Sequence, residues 1–509
     1  MTAPQLNEST SAVLDALTFA SAKEQAQALA AKRVSAVDLL EHSLTRIARF
    51  DGALNAVVAR DDEQARTAAA RAADAALARG ERRPLLGVPI SVKESFDVAG
   101  LVTSVGNPGF AENRASTDSL AVAALREAGA VIVGKTNVPL GLADLQSYND
   151  VYGLTRNPWD LERTPGGSSG GSAAALAAGY VARELGSDIG GSIRIPAHFT
   201  GVYGHKPSYG HVSLRGAGAP PGRFSARDLS VAGPLARSAD DLELALDLLL
   251  NREPLTAKAW RVDLPPAHHR RLADFRVLVI DRWPGTAPSL SECFGIERVV
   301  ERLRTQGAAV SRPADLTDGV LPDLARAHPL YRTLLGSSLA EPPAQSESAR
   351  QRFAALAPDD HSADAAWLRA PTLSHRDWLK ADEARHALRH QWERLFETFD
   401  VVVTPVAPTP ALRHNRAEPK DTRTYPVAYK EGLRDVRFLD LFYWAGLPVL
   451  PGLPATSFPL GLDDEGLPVS AQAVGPWLED RTPIAFARLL EEAYGGFLVP
   501  PGYEAAAGR

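Results

Sequence analysis

Three short stretches carry residue types that could do chemistry together. Gly166-Gly167-Ser168-Ser169-Gly170-Gly171-Ser172 and Ser187-Asp188-Ile189-Gly190-Gly191-Ser192-Ile193-Arg194 set Ser168 and Ser192 24 residues apart in glycine-rich surroundings. Upstream, Lys93 closes the strand-like run Gly87-Val88-Pro89-Ile90-Ser91-Val92-Lys93. A serine hydroxyl needs a base before it attacks, and an amine serves as that base only when its proton has been made easy to lose. A nucleophile, a second hydroxyl, an amine and glycine amides that can converge on an anion are the parts of acyl transfer without histidine.

Each stretch has a plainer reading when taken alone. Lys93 shares one strand face with Pro89 and Ser91, while Val88, Ile90 and Val92 take the other. The chain has nine lysines against 46 arginines, so a lysine kept here suggests an amine that must deprotonate, which a guanidinium cannot do. It could equally reach solvent at a strand end or pair with Glu94 or Asp97. The first glycine patch fits a linker, a phosphate cradle or a GxSxG elbow; no Walker lysine follows it and no strand precedes it. The second patch follows a strand, and consecutive glycines let successive N–H groups form an anion nest toward which Ser192 could direct an oxyanion. Asp188 and Arg194 flank that turn and could pair to brace it. Read alone, it is a tight turn with a surface serine. His198 stands six residues past Ser192, but sequence neighbours rarely reach triad geometry.

Composition narrows the classes. A chain of 509 residues with 45% hydrophobic and 23% charged residues can bury a sizeable core. The net charge of −6 comes without a basic block, so no nucleic-acid partner is expected. Cys293 is the one cysteine; its context reads as inert, no internal disulfide can form, and the cytoplasm is the natural compartment. Twelve histidines show no ligand spacing; His386 and His390, four apart, are flanked by Arg385 and Arg389, so no metal is expected, and no motif calls for a cofactor. Met1–Gln5 lacks a basic and apolar leader, and the apolar stretch Leu242–Leu250 is interrupted by Glu243 and Asp247, so neither a secretory signal nor a membrane span is expected.

The elements that must position these residues follow from periodicity. Ser35 and Asp38 form a capping-box pattern before an amphipathic helix over 35–49, and a second, alanine-rich helix covers 61–79, ending at Gly80. Strands are expected at Leu85–Val92, Ala130–Gly134 and Tyr180–Leu185, with helices over 117–128, Ser172–Ala178 and 239–250. Further strands are expected at Arg276–Ile280 and Asp400–Thr404, with α/β character again at Leu447–Leu460. This alternation predicts an α/β fold with a largely parallel sheet. The stretch 251–395 is mainly helical, Arg413–Lys430 reads as a polar surface excursion, and the aromatic run Phe438–Trp444 reads as a pocket wall or as core.

Order and spacing together make a pattern that none of these pieces makes alone. With Gly134-Lys135-Thr136-Asn137-Val138-Pro139, Tyr152-Gly153-Leu154-Thr155-Arg156-Asn157-Pro158-Trp159, Gly204-His205-Lys206-Pro207-Ser208 and Gly233-Pro234-Leu235-Ala236-Arg237-Ser238 added, the chain resembles the amidase signature family. Thr404-Pro405, Ala445-Gly446-Leu447-Pro448 and Gly466-Leu467-Pro468-Val469 extend the likeness. It covers about 15–250 and 395–500, leaving 251–395 as a variable insert expected to cover the substrate cleft. The resemblance implies one large α/β domain over 1–509, with a mixed central sheet flanked by helices. It implies a Ser–Ser–Lys mechanism: Ser192 as nucleophile, Ser168 as relay after a cis peptide, Lys93 as base. The backbone N–H groups of Ile189, Gly190 and Gly191 would form the oxyanion hole, with Ser169, Asp188 and Arg194 in support. Ser187 stands where the family often has Thr, and His205 where it commonly has Leu. Leu142, Leu145 and Tyr148 are expected in the substrate pocket. The implied reaction is hydrolysis of a small amide, with esters, aryl amides and carbamates open and a homodimer compatible. The alternatives are the amidase subunit of a tRNA-dependent amidotransferase, and a non-catalytic binding protein on the same scaffold.

Overall fold

A computed structural model describes residues 8–60, 62–218, 220–317, 319–339 and 347–505. One eleven-stranded sheet organises them. From edge to edge it runs Val57–Ala59, Val131–Thr136, Pro89–Lys93, Arg183–Asp188, Val231–Ala236 and Tyr203–Lys206. It continues through Ala455–Leu462, Pro468–Val474, Val401–Pro405, Arg276–Val279 and Ala309–Ser311. The pairing is mixed. Pro89–Lys93 lies parallel to both of its neighbours, whereas the middle of the sheet is antiparallel. The largely parallel sheet expected from the helix–strand alternation is therefore corrected. Hairpin-like returns such as Ala455–Leu462 to Pro468–Val474 need only a short turn and carry no helix to announce them.

Local signals hold where the chemistry is local. Ser35 caps the helix Ala36–Leu54, and Asp38 closes the reciprocal bond to the Ser35 N–H at 3.1 Å. Leu39, Leu40, Ser43 and Ile47 lie on its buried face. Other boundaries move. The ladder begins at Pro89, not Leu85, because Leu85–Gly87 turns into the sheet with Gly87 at φ +84°. A Cβ there would stand 2.8 Å from that of Ala36, so the position takes glycine. The strand expected at Tyr180–Leu185 runs instead over Arg183–Asp188, which carries it up to the second glycine patch.

The stretch 251–395 divides. Its first part adds Arg276–Val279 and Ala309–Ser311 to the sheet. Its second part forms the helices Leu324–Ser338 and His375–Thr398, which pack on Trp444, Leu447 and Leu450 in an apolar cluster of their own. Residues 413–430 are more than a surface excursion. Arg423 is fully buried against Asp144 at 2.7 Å, and the hairpin Thr424–Tyr429 with Gly432–Arg437 buries Tyr425 and Val427. A guanidinium enters the interior only with its charge answered, and Asp144 answers it. Among the described residues no helix is long and apolar enough to cross a membrane, and no group of three or more His, Cys, Asp or Glu is placed to hold a metal.

Candidate active site

The three stretches meet at the end of the strand Pro89–Lys93. Lys93 is 0% exposed, and its Nζ lies 2.6 Å from Ser168 Oγ and 2.9 Å from Ser187 Oγ. The parallel neighbour Arg183–Asp188 supplies Ser187, and the loop before the helix Gly170–Ala177 supplies Ser168. The Gly167–Ser168 peptide is cis. Glycine is required at 167 because a Cβ would come within 2.4 Å of the Asp144 carbonyl oxygen. Burial pushes the Lys93 amine down to about 7, with the Asp188 charge pulling the other way. Lys206 is lowered as far, but its Nζ donates to the Pro207 carbonyl. Depression alone does not distinguish the two lysines; the two hydroxyls around Lys93 do.

Ser192 is 9% exposed and lines the same cleft as Ser168, Ser187 and Ile189. Its carbonyl accepts the Ser169 N–H at 3.2 Å, and Ser169 Oγ donates to the Ser187 carbonyl at 3.4 Å, so Ser169 ties the two glycine patches together. The hydrogen-bond path from Lys93 reaches Ser168; among the described residues no bond links Ser168 Oγ to Ser192 Oγ.

Asp188 and Arg194 pair, both 0% exposed, through bonds of 2.9 and 3.1 Å. Burial alone would raise the Asp188 carboxyl, but the Arg194 charge and hydrogen bonds, with that from the Gly191 N–H, hold it below its ordinary range. Arg194 also donates to the Ala445 carbonyl and to Gln472 Oε1, which fixes the turn against the far half of the sheet. The carboxylate takes the N–H groups of Gly191 (2.8 Å) and Ile193 (3.1 Å). Of the three amides expected to form an oxyanion hole, that of Gly191 donates to Asp188, a charged acceptor, whereas those of Ile189 and Gly190 make no bond to that carboxylate among the described residues. Removing Arg194 would leave the Asp188 charge buried and unpaired. Arg194→Met is expected to cost about 3–5 kcal/mol, read from urea denaturation; a loss under about 1 kcal/mol would contradict the bracing role.

The pocket residues separate. Leu142 lines the cleft, with φ +65°. Leu145 does not; it sits in an apolar cluster with Ile195 and Phe199. Tyr148 is directed elsewhere too, its hydroxyl accepting from Arg423 at 2.8 Å and donating to Glu418. Both expectations followed from loop position, and the buried Arg423–Asp144 pair turns that loop away from the cleft. His198 is a satisfied core residue: Nδ1 accepts the Ser470 N–H and Nε2 faces the Thr409 carbonyl at 3.0 Å. The aromatic run is mostly core, with the Tyr443 hydroxyl on Glu292 at 2.7 Å, but Phe442 reaches the glycine turn.

Three residues near the serines carried no sequence signal. Tyr331 donates to the Ile189 carbonyl at 3.2 Å, and a Cβ on Gly190 would fall 2.9 Å from its Oη. Arg223 and Arg227 line the cleft from a loop. Neither that loop nor the Tyr331 helix bears a motif.

The family model described as Amidase matches residues 38–483. A glutamyl-tRNA(Gln) amidotransferase subunit of Coxiella burnetii is 33% identical over 481 residues, covering 90% of this chain and 94% of the relative. The putative amidase AmiB2 of Mycobacterium tuberculosis is 36% identical over 482 residues, covering 94% and 96%. A solved structure from a vestigial protein complex, tied to the origins of an s-triazine catabolic enzyme, superposes with a TM-score of 0.75 at 28% identity, covering 94% of this chain and all of that one. With the match running over most of its length and its relatives aligned nearly end to end, the chain belongs to the amidase signature family.

Proposed function

We propose that this protein hydrolyses a carboxylic amide to an acid plus ammonia or an amine, through an acyl-enzyme on Ser192. The observation that carries the reading is a fully buried amine lowered to about 7 and 2.6 Å from Ser168 Oγ, at a cleft that Ser192 also lines. Neutral Lys93 takes a proton from Ser168, which takes one from Ser192 as Ser192 Oγ bonds to the amide carbon. The carbonyl oxygen gathers charge against the Ile189 and Gly190 N–H groups; one such donor is worth about 3–4 kcal/mol in the transition state. The relay returns its proton to the nitrogen, the C–N bond breaks and the amine leaves. Water then adds to the ester carbon, gives its proton up through the same groups, and the acid leaves as Ser192 recovers its hydrogen. Closing the Ser168–Ser192 link is the task of bound substrate, since catalytic hydrogen bonds often tighten only in the complex.

Ammonia release from a panel of aliphatic, aryl and peptide-terminal amides by the purified chain tests this. Turnover by the chain alone supports the reading; no release from any amide, with no serine adduct, would overturn it. The 33% identity to an amidotransferase subunit favours a second reading, in which glutamine is deamidated for a partner. Hydrolysis of simple amides with no partner present argues against that one.

A further inference from the structure

The lining of the cleft includes positive charge that the reaction above does not use. Arg223 and Arg227 both line it, and among the described lining residues there is no Asp or Glu. Arg227 Nε donates to the carbonyl of Ser338 at 2.9 Å. Ser338 ends the helix Leu324–Ser338, where carbonyls lack partners within the helix, so the bond anchors the guanidinium by one corner. Among the described residues no carboxylate pairs with Arg227. Its sequence neighbour Asp228 is taken by Arg385 at 2.6 Å. Arg227 itself is half-buried, so its Nη groups are open to the cleft it lines.

Resting on the amidase reading, we propose that Arg227, with Arg223 beside it, binds a carboxylate carried by the acyl part of the substrate. The substrate class is then the monoamide of a dicarboxylic acid. A guanidinium fork meets a carboxylate with two parallel hydrogen bonds, and with Nε held by Ser338 the Nη groups remain for it. Leu142, Leu214 and Leu339 line the same cleft and suit the methylenes between the two ends. Burial first, and the Arg223 charge second, lower Arg227 to about 10, which leaves it charged at neutral pH and would be relieved by an anion. An α-amino acid amide would bring an ammonium as well, and the described lining offers that group no carboxylate.

The test compares succinamate, glutaramate and adipamate with their methyl esters, which keep the amide and lose the charge. The intact chain is expected to favour at least one carboxylate form by roughly 10- to 100-fold in kcat/KM, mainly through KM. Arg227→Gln should collapse that ratio and Arg227→Lys should keep part of it. A ratio near one in the intact chain, or one unchanged by R227Q, overturns the proposal. Calorimetry of glutarate against glutaramide in the S192A background gives the same discrimination without turnover: binding of glutarate lost on adding R227Q supports it, and equal binding of the two by the S192A chain overturns it. Should R227Q fail to fold, R223Q and R227K carry the comparison. Labelling of Ser192 by a neutral fluorophosphonate reports the hydrolase reading separately, so a labelled protein indifferent to carboxylates loses only the anion site.

Discussion

Ser192→Ala is expected to form no adduct with a fluorophosphonate and to lose amide hydrolysis by roughly 10,000-fold or more. The loss should come in kcat, with the protein still folded. The Ser192 hydroxyl has no hydrogen bond among the described residues, while its backbone carbonyl keeps the Ser169 N–H, so alanine leaves the turn's bonds in place. Ser168→Ala should behave differently. It removes the hydroxyl 2.6 Å from Lys93 and breaks the proton path, yet leaves the attacking atom, so a slower adduct should still form on Ser192. Its cost is expected at roughly 100- to 10,000-fold, the range of a positioned proton-transfer group. Mass mapping of the labelled peptide separates the serines. An adduct on Ser168, or full labelling of the S192A protein, would overturn the assignment of the nucleophile.

Chemistry of short range is legible in the sequence by itself. The capping box at Ser35 and Asp38 is complete within four residues, and so is the glycine turn before Ser192. The strand Arg183–Asp188 is legible only in part, because its first residues are charged and buried. Burial pushes the Glu184 carboxyl up to about 8, and apolar character points to Tyr180 and Val181 instead. The proximity of Lys93 to Ser168 follows from spacing within a known pattern; nothing in either stretch alone dictates 2.6 Å. Which glycine amide faces the cleft is beyond the reach of sequence, because it depends on φ +96° at Gly191 and on Asp188 claiming that N–H. Tyr331 and Arg227 come from segments with no internal pattern, and their place is set by pairs such as Arg385–Asp228, 157 residues apart.

The second large effect concerns the base. Activity is expected to rise with pH along a limb of apparent pKa near 7, because burial has lowered Lys93 to about 7. The sign follows from which form works: below that value the amine holds its proton and cannot take one from Ser168, so kcat/KM falls about tenfold per pH unit. Above it the neutral amine prevails and the limb flattens. An unperturbed lysine would set the same limb more than three units higher, near 10.4. The Asp188 charge opposes the shift, so burial is the cause of the limb's position. His198 cannot supply it: burial holds that ring near 4, and both its nitrogens face backbone groups. Lys93→Met removes the amine and Lys93→Arg keeps only the charge. Both are expected to lose roughly 1,000-fold or more, with no limb near 7 in what remains. A flat profile from about pH 6 to 9 in the intact chain would rule out the lysine base. So would an Arg variant that keeps the limb, since a guanidinium has no proton to lose in that range and some other group would then be doing the titrating.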